Sequence, residues 1–287
     1  MTNTRIAMVL VVLLALPALL LPAMSLAYIA YKGIPAFSWD FIFGTDPGSG
    51  FGVAGGVFAQ LLGSLLLALG AVLVAVPFAL GTALYYHLLA SAVQRHVLMA
   101  LMNMLQGIPP IVFGLCGLIV FVHLLHWGVS LASGALILAA VILPMLVLNS
   151  ITALEQIPFE DTEAARSLGL SHASVIARVW LPRAWPGMLT GLLLGMARAL
   201  SETAPILFTA TVFSGVVWPD SIFAPVTSLQ THIFYLSQEG SDPAAIQAAW
   251  GSAVVLIMVV AVFALLARAL SRHTNRQSGV LSEGADS

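Results

Sequence analysis

Residues 155–186 read EQIPFEDTEAARSLGLSHASVIARVWLPRAWP, the longest hydrophilic stretch between two apolar segments of the chain. Pro158 suits the opening of a helix, and Glu160, Asp161 and Glu163 fall in its first turns, where carboxylates meet the positive helix end. Gly169 is placed to end that helix in a left-handed conformation. Ser171 then caps a second short helix, which is expected to run through Val179 and stop at Leu181-Pro182. The predicted product is a helix–turn–helix lying on a surface.

Outward from this loop the sequence is dominated by apolar residues. They make up 60% of the 287 residues, against 8% charged, and the mean hydropathy is +1.02. A water-soluble domain carries roughly a quarter charged residues. So few charges cannot cover a globular surface, and most of the exterior must face lipid. Six stretches approach the roughly 20 apolar residues needed to cross a bilayer. They are 6–31, 57–86, 107–125, 131–153, 187–217 and 248–270, the third with a possible earlier start near Val97. The expected fold is all-α, a polytopic membrane protein with six transmembrane helices in a single domain over residues 1–287, with the surface loop at 155–186. The second and fifth stretches are long enough to tilt, or to kink at Pro77 and Pro205. The first follows Arg5 as a signal peptide would. Its apolar run is too long for an h-region and no small-x-small site ends it, so it is read as an uncleaved span. The polar tail is expected to be disordered from about residue 274.

Threading six spans puts Arg5, Arg95, Arg166, Arg178, Arg183, Arg268, Arg272 and Arg276 on one side, with Lys32 alone on the other. The loop holding Asp220, Glu239 and Asp242 carries no Lys or Arg. By the positive-inside rule, both termini and the two Arg-bearing loops are expected to be cytoplasmic.

Arg198 and Glu202 interrupt the fifth apolar stretch. Counted from Gly187, Arg198 is about 16 Å along a helix, near the middle of the hydrocarbon. A charge there costs about 2.5–3.5 kcal/mol on insertion scales if it faces lipid. The i, i+4 spacing lets the two pair on one face, pointing into the bundle or a hydrated path. The pair is either a lock between helices or a midplane element that senses an anion, with Arg198 its positive side. Gly187, Gly191, Gly195, Ala199 and Thr203 recur every four residues, a stripe that lets a second helix approach closely. Pro205 lacks a backbone donor and is expected to free a carbonyl near Ser201.

Other signals are weak. Gly50-Phe51-Gly52-Val53-Ala54-Gly55 matches G-x-G-x-x-G, but it follows a loop with Pro47 and precedes a membrane span, so it reads as a flexible loop rather than a dinucleotide site. No G-x-x-x-x-G-K-[ST] occurs. Cys116 is the only cysteine and reads as a packed thiol. His123 and His126 share a helix face without a nearby carboxylate, too few ligands for a metal. No basic cluster suggests nucleic acid.

The pattern Glu163-Ala164-Ala165-x3-Gly169-x9-Val179-x-Leu181-Pro182 resembles the EAA loop of ABC importer permeases, with Val179 where that family usually has Ile. Residues 197–210, ARALSETAPILFTA, resemble the A-R-x-x-G-E-T-A-P-L-L-F-T-A stretch of the PstA-type permeases of phosphate-specific transport. The similarity extends to Gly55-Gly56, to Gly107–Gly114, and to the Ala224-Pro225-Val226-x-Ser228-Leu229…Ile233-Phe234 pattern. Two departures are Ser201 for the usual Gly, and Gln230-Thr231-His232 where Pro-Val is common.

The resemblance implies a type I ABC importer fold with the loop as coupling helix, seated in a groove on an ATPase subunit. Glu163 would supply a charged contact, Ala164 and Ala165 close approach, and Gly169 the bend, with Leu181 and Pro182 closing the motif. Arg198, Ser201, Glu202 and Thr203 would line a path for inorganic phosphate. The implied partners are a sister permease, two ATPase subunits carrying the ATP and Mg, and an external phosphate-binding protein, in a bacterial inner membrane. This chain would bind no cofactor or metal and catalyse no reaction. A permease for phosphonate, sulfate, molybdate or tungstate remains an alternative, as does an ion-coupled carrier, which would need no EAA loop. A membrane hydrolase would want a Ser/Asp/His constellation on the spans, such as paired Asp residues, and no Asp falls inside one.

Overall fold

The computed structural model describes residues 2–44, 56–212, 219–238 and 242–283. The G-x-G-x-x-G stretch and Glu239 lie outside them. The apolar runs form helices in sequence order: α1 (Thr2–Gly33), a 3-10 turn at Ile34–Ala36, α2 (Trp39–Phe43) and α3 (Phe58–Leu88). Next come α4 (Ala92–Gly107), α5 (Pro110–Gly117) prolonged by a π-helical segment to Leu124, and α6 (Leu131–Glu155). The loop contributes α7 (Phe159–Ser167) and α8 (His172–Val175), and a π-helical turn at Ile176–Trp180 leads into α9 (Leu181–Leu200). α10 (Ala204–Thr209), α11 (Leu229–Gln238) and α12 (Pro243–Glu283) complete the chain. Among the described residues, the sole isolated β-bridge joins Thr211 and Val226. Serines start several helices. Ser91 and Gln94 form a reciprocal capping box before α4, and Ser130 Oγ accepts from the Ser133 N–H before α6.

Val11–Ala36, Phe58–Leu88, Leu131–Glu155 and Pro243–Arg272 are each long and apolar enough to cross a membrane. The other two expected spans are broken, which corrects the sequence reading. The third is not a rod over 107–125. α4 ends at Gly107, and the chain turns by 90° at Ile108-Pro109-Pro110 before α5. Two consecutive prolines remove two donors and push the preceding residue out of helical geometry. Counted together, the bent pair makes a fifth span. The fifth expected stretch, 187–217, starts earlier, at Leu181, and its helix stops at Leu200. Pro205 there does more than kink: it sits in the first turn of a new short helix, α10. The tail also differs, since α12 continues as helix to Glu283, past residue 274. Past residue 274 no proline interrupts it, and Gly279 there costs only about 1 kcal/mol.

Between lipid-solvated helices, close packing replaces the hydrophobic effect as the source of association. α3 turns Ser64, Ala68, Ala71, Ala75, Ala79 and Ala83 into the bundle, a small-residue face that packs on α6. α9 meets α6 through the glycine stripe read from the sequence, and also touches α3. A methyl on Gly187, Gly191 or Gly195 would lie 2.8–2.9 Å from Ala153, Asn149 or Leu146 in turn. The expected result is that Gly191→Leu lowers stability by about 1–3 kcal/mol, read as a reduced Tm in detergent. Gly81→Ala, where nothing lies within 4 Å of the added carbon, leaves Tm unchanged or slightly raised. Equal behaviour of the two variants would show that the stripe is not the α6–α9 contact.

Candidate functional site

The surface loop folds as its turn residues dictate. Gly169 has φ +76°, and the helix end is a Schellman motif. The Gly169 N–H donates to the Arg166 carbonyl at 2.9 Å, and the Leu170 N–H to the Ala165 carbonyl at 3.2 Å. Ser171 caps the next helix through the Ser174 N–H at 3.3 Å. The two halves are tied by the Trp180 indole N–H on Thr162 Oγ1 at 3.1 Å. Arg183 Nη2 lies 3.1 and 3.0 Å from the two Asp161 oxygens.

Glu163 and Ala164 are exposed, whereas Ala165 is buried against its own chain, so Ala164 alone of the two alanines faces outward. Ala164 lines a groove of about 400 Å³ with Asp161, Arg178, Val179, Pro182 and Arg183. Leu181 is half-buried beside it. Phe159 and Leu168 stand 68% and 82% exposed on the same loop. Neither belongs to the motif that marks the loop in the sequence, although apolar side chains in so polar a segment are the signal of a contact surface.

The second helix does not stop at Leu181-Pro182. α8, the π turn and α9 run on as continuous helix from His172 to Leu200. In the π turn the Leu181 N–H donates to the Ile176 carbonyl, five residues back, and Pro182, which has no N–H, takes a place in the first turn of α9. At 1.5 Å per residue this rod is about 40 Å long. It carries the surface loop at one end and the charged pair at the other.

At the far end, Arg198 Nη2 meets Glu202 Oε1 at 2.8 Å across the break. The Arg198 side chain is 51% exposed and that of Glu202 10%, so the carboxylate is enclosed and the guanidinium opens outward from this chain. Ser201 is exposed and Thr203 half-buried beside them. Arg198 also lies in the last turn of α9, where a cation suits the negative helix end. Just past the break α10 packs closely on α5: a methyl on Gly114 would stand 2.9 Å from Pro205 Cα. Non-helical backbone at membrane depth is tolerated only where protein buries it or a cavity receives it. His232 is buried on α11, and among the described residues its Nε2 has no hydrogen-bond partner. No group of three or more metal-ligating side chains occurs among the described residues.

A bundle of long apolar helices with a charged, broken helix inside it and a polar loop on the same rod has the architecture of a membrane transport subunit. The family model described as binding-protein-dependent transport system inner membrane component matches residues 75–277, and the chain belongs to that family. A relative from Mycobacterium bovis, phosphate transport system permease protein PstA 2, is 35% identical over 179 residues. The match covers 62% of this chain but only 58% of that protein. Phosphate transport system permease protein PstA of Xylella fastidiosa is 33% identical over 244 residues, 83% of this chain and 82% of its own length. Among solved structures, a bacterial alginate ABC transporter in complex with an alginate-bound periplasmic protein aligns at TM-score 0.62 and 15% identity. It covers 94% of both chains, a likeness of fold alone.

Proposed function

We propose that this chain is the permease subunit of an ATP-driven importer for inorganic phosphate. The observation that carries the reading is the rod from His172 to Leu200, which joins an exposed surface loop to an ion pair at a helix break. The PstA relatives supply the cargo. In this reading both termini and the loop at 155–186 lie in the cytoplasm of a bacterial inner-membrane protein. Glu163, Ala164, Gly169, Leu181 and Pro182 form or shape the seat of one of two ATPase subunits, which hold the ATP and Mg. A sister permease completes the pathway, and an external phosphate-binding protein delivers the ligand.

Closure of the ATPase dimer moves the loop, the rod transmits the displacement, and the bundles alternate between outward and inward access. Arg198 exchanges Glu202 for the anion in transit, because a guanidinium fork matches two oxygens of a phosphate as it does a carboxylate. Ser201 and Thr203 offer hydroxyls beside it.

Uptake of labelled phosphate at micromolar concentration tests the cargo, in cells lacking their own system and complemented with this chain and its partners. Uptake blocked by excess phosphate but not by sulfate, molybdate or a phosphonate is the expected result. Transport of one of those anions in place of phosphate would overturn the cargo and keep the permease.

A further inference from the structure

A helix leaves its last four carbonyls without intrahelical partners, and one that ends inside a membrane has no bulk water to supply them. At the end of α9 all four are occupied. The Arg198 carbonyl accepts from the Ser201 N–H at 3.0 Å, and the Ala199 carbonyl from the Glu202 N–H at 3.3 Å. Side chains serve the other two. Ser201 Oγ donates to the Ala197 carbonyl at 2.8 Å, and Gln230 Nε2, from α11, donates to the Leu200 carbonyl.

Gln230 is itself held from the far side. Its Oε1 lies 2.8 Å from Ser64 Oγ on α3, and Ser64 Oγ accepts the Leu229 N–H at 2.9 Å. Ser64 has one proton for two acceptors, Gln230 Oε1 and the Gln60 carbonyl at 2.9 Å, so the tie to α3 also rests on the Leu229 contact. Gln230 is 4% exposed and Ser64 2%. The two side-chain caps fall at two of the places where this chain departs from the patterns it resembles, Ser201 for the usual Gly and the Gln230-Thr231-His232 stretch where Pro-Val is common. Neither Gly nor Pro or Val could supply those hydrogen bonds, and both substitutions converge on one helix end.

We infer that Gln230, anchored on Ser64 and paired with Ser201, is a positioning residue that caps the broken end of α9 and fixes Glu202 against Arg198. The inference rests on the reading that this pair lies on the transport path. Glu202 follows the capped carbonyl by two residues, so loss of the cap lets the break rewind or fray and carries the carboxylate away from the guanidinium. Gln230 touches no cargo; it acts through the backbone of Leu200.

The test uses the complete complex reconstituted in proteoliposomes. Gln230→Met keeps the volume and removes both hydrogen bonds. It is expected to lower the kcat of phosphate uptake by about tenfold while the ATPase rate of the complex stays within about twofold. In a Glu202→Gln background the same change lowers uptake no further, because the position of the carboxylate has ceased to matter. Proportional loss of uptake, ATPase activity and assembled complex, or an equal effect in both backgrounds, would overturn the inference. A second measurement is independent of cargo. On a Cys116→Ser background, Thr203→Cys is expected to react slowly with a hydrophilic maleimide, and adding Gln230→Met to raise the rate by about tenfold. An unchanged labelling rate would overturn the cap whatever anion is carried. Failure of wild-type phosphate uptake with faster labelling retained would overturn the cargo and keep the cap.

Discussion

Arg198→Lys and Glu202→Gln each reduce phosphate uptake by about tenfold or more, while the amount of assembled complex in the membrane stays within about twofold of wild type. The size follows from what each change removes. Lysine keeps the charge but replaces a planar fork by a point charge on a flexible stem, which loses bidentate recognition of an oxyanion. Glutamine keeps the shape of Glu202 and removes the carboxylate that Arg198 must release to the cargo. Alanine at 198 is the less informative variant. It leaves a 10% exposed carboxylate without its counter-ion, and although the half-exposed guanidinium keeps the cost below the about 3–5 kcal/mol of a fully buried pair, a fold effect would be mixed with the transport effect. The two chosen variants avoid much of that penalty: lysine keeps a positive charge opposite Glu202, and Arg198, half-exposed in this chain, tolerates loss of its partner. Membrane levels by immunoblot and uptake by labelled phosphate separate the outcomes. Uptake that falls only in step with the assembled complex would make the pair a helix lock.

Glu163→Lys abolishes uptake, to below about 5% of wild type, without unfolding the chain. An exposed substitution away from caps and cores usually changes stability by less than about 0.5 kcal/mol. Glu163 is exposed on α7, and the Schellman turn at Gly169 and the Ser171 cap do not involve its side chain. A large effect on transport therefore has to arise in contact with another subunit, where reversing a charge turns attraction into repulsion at close range. Phe159 and Leu168 flank it as apolar contacts, and Ala164 keeps the groove open. Copurification of the ATPase subunits with wild type and variant is the measurement. Retained ATPase subunits together with normal uptake would remove Glu163 from the coupling surface.

The local features of this molecule were legible in the sequence because short-range chemistry sets them. Gly169 and Ser171 turn the loop as their conformational preferences require, and the four-residue stripe at Gly187, Gly191 and Gly195 meets α6. The Arg198–Glu202 pair forms at the expected spacing even though the helix between them ends. The features that were misread depend on how a breaker is accommodated. Pro182 was read as a stop, but the π turn absorbs it and joins loop and span into one rod. Pro205 was read as a kink, but it opens a new helix, and Pro109-Pro110 bend the chain by 90°. Gln230 was visible only as a departure from a familiar pattern. Its partners, Ser64 and the Leu200 carbonyl, lie 166 and 30 residues away, beyond any periodicity. The motif assigns both Ala164 and Ala165 to close approach of a partner, but the twist of α7 turns only Ala164 outward and buries Ala165 against its own chain.

In the proposed mechanism, movement at the loop, driven by ATP on a separate subunit, carries phosphate past the broken end of α9. Its most direct test is accumulation of labelled phosphate in proteoliposomes holding the purified permease–ATPase complex, with the external binding protein on one face and ATP on the other. The expected result is accumulation against a gradient that requires both components and is lost with Glu163→Lys. Accumulation driven by an imposed proton or sodium gradient, with no ATP and no binding protein, would contradict it and make the chain an ion-coupled carrier.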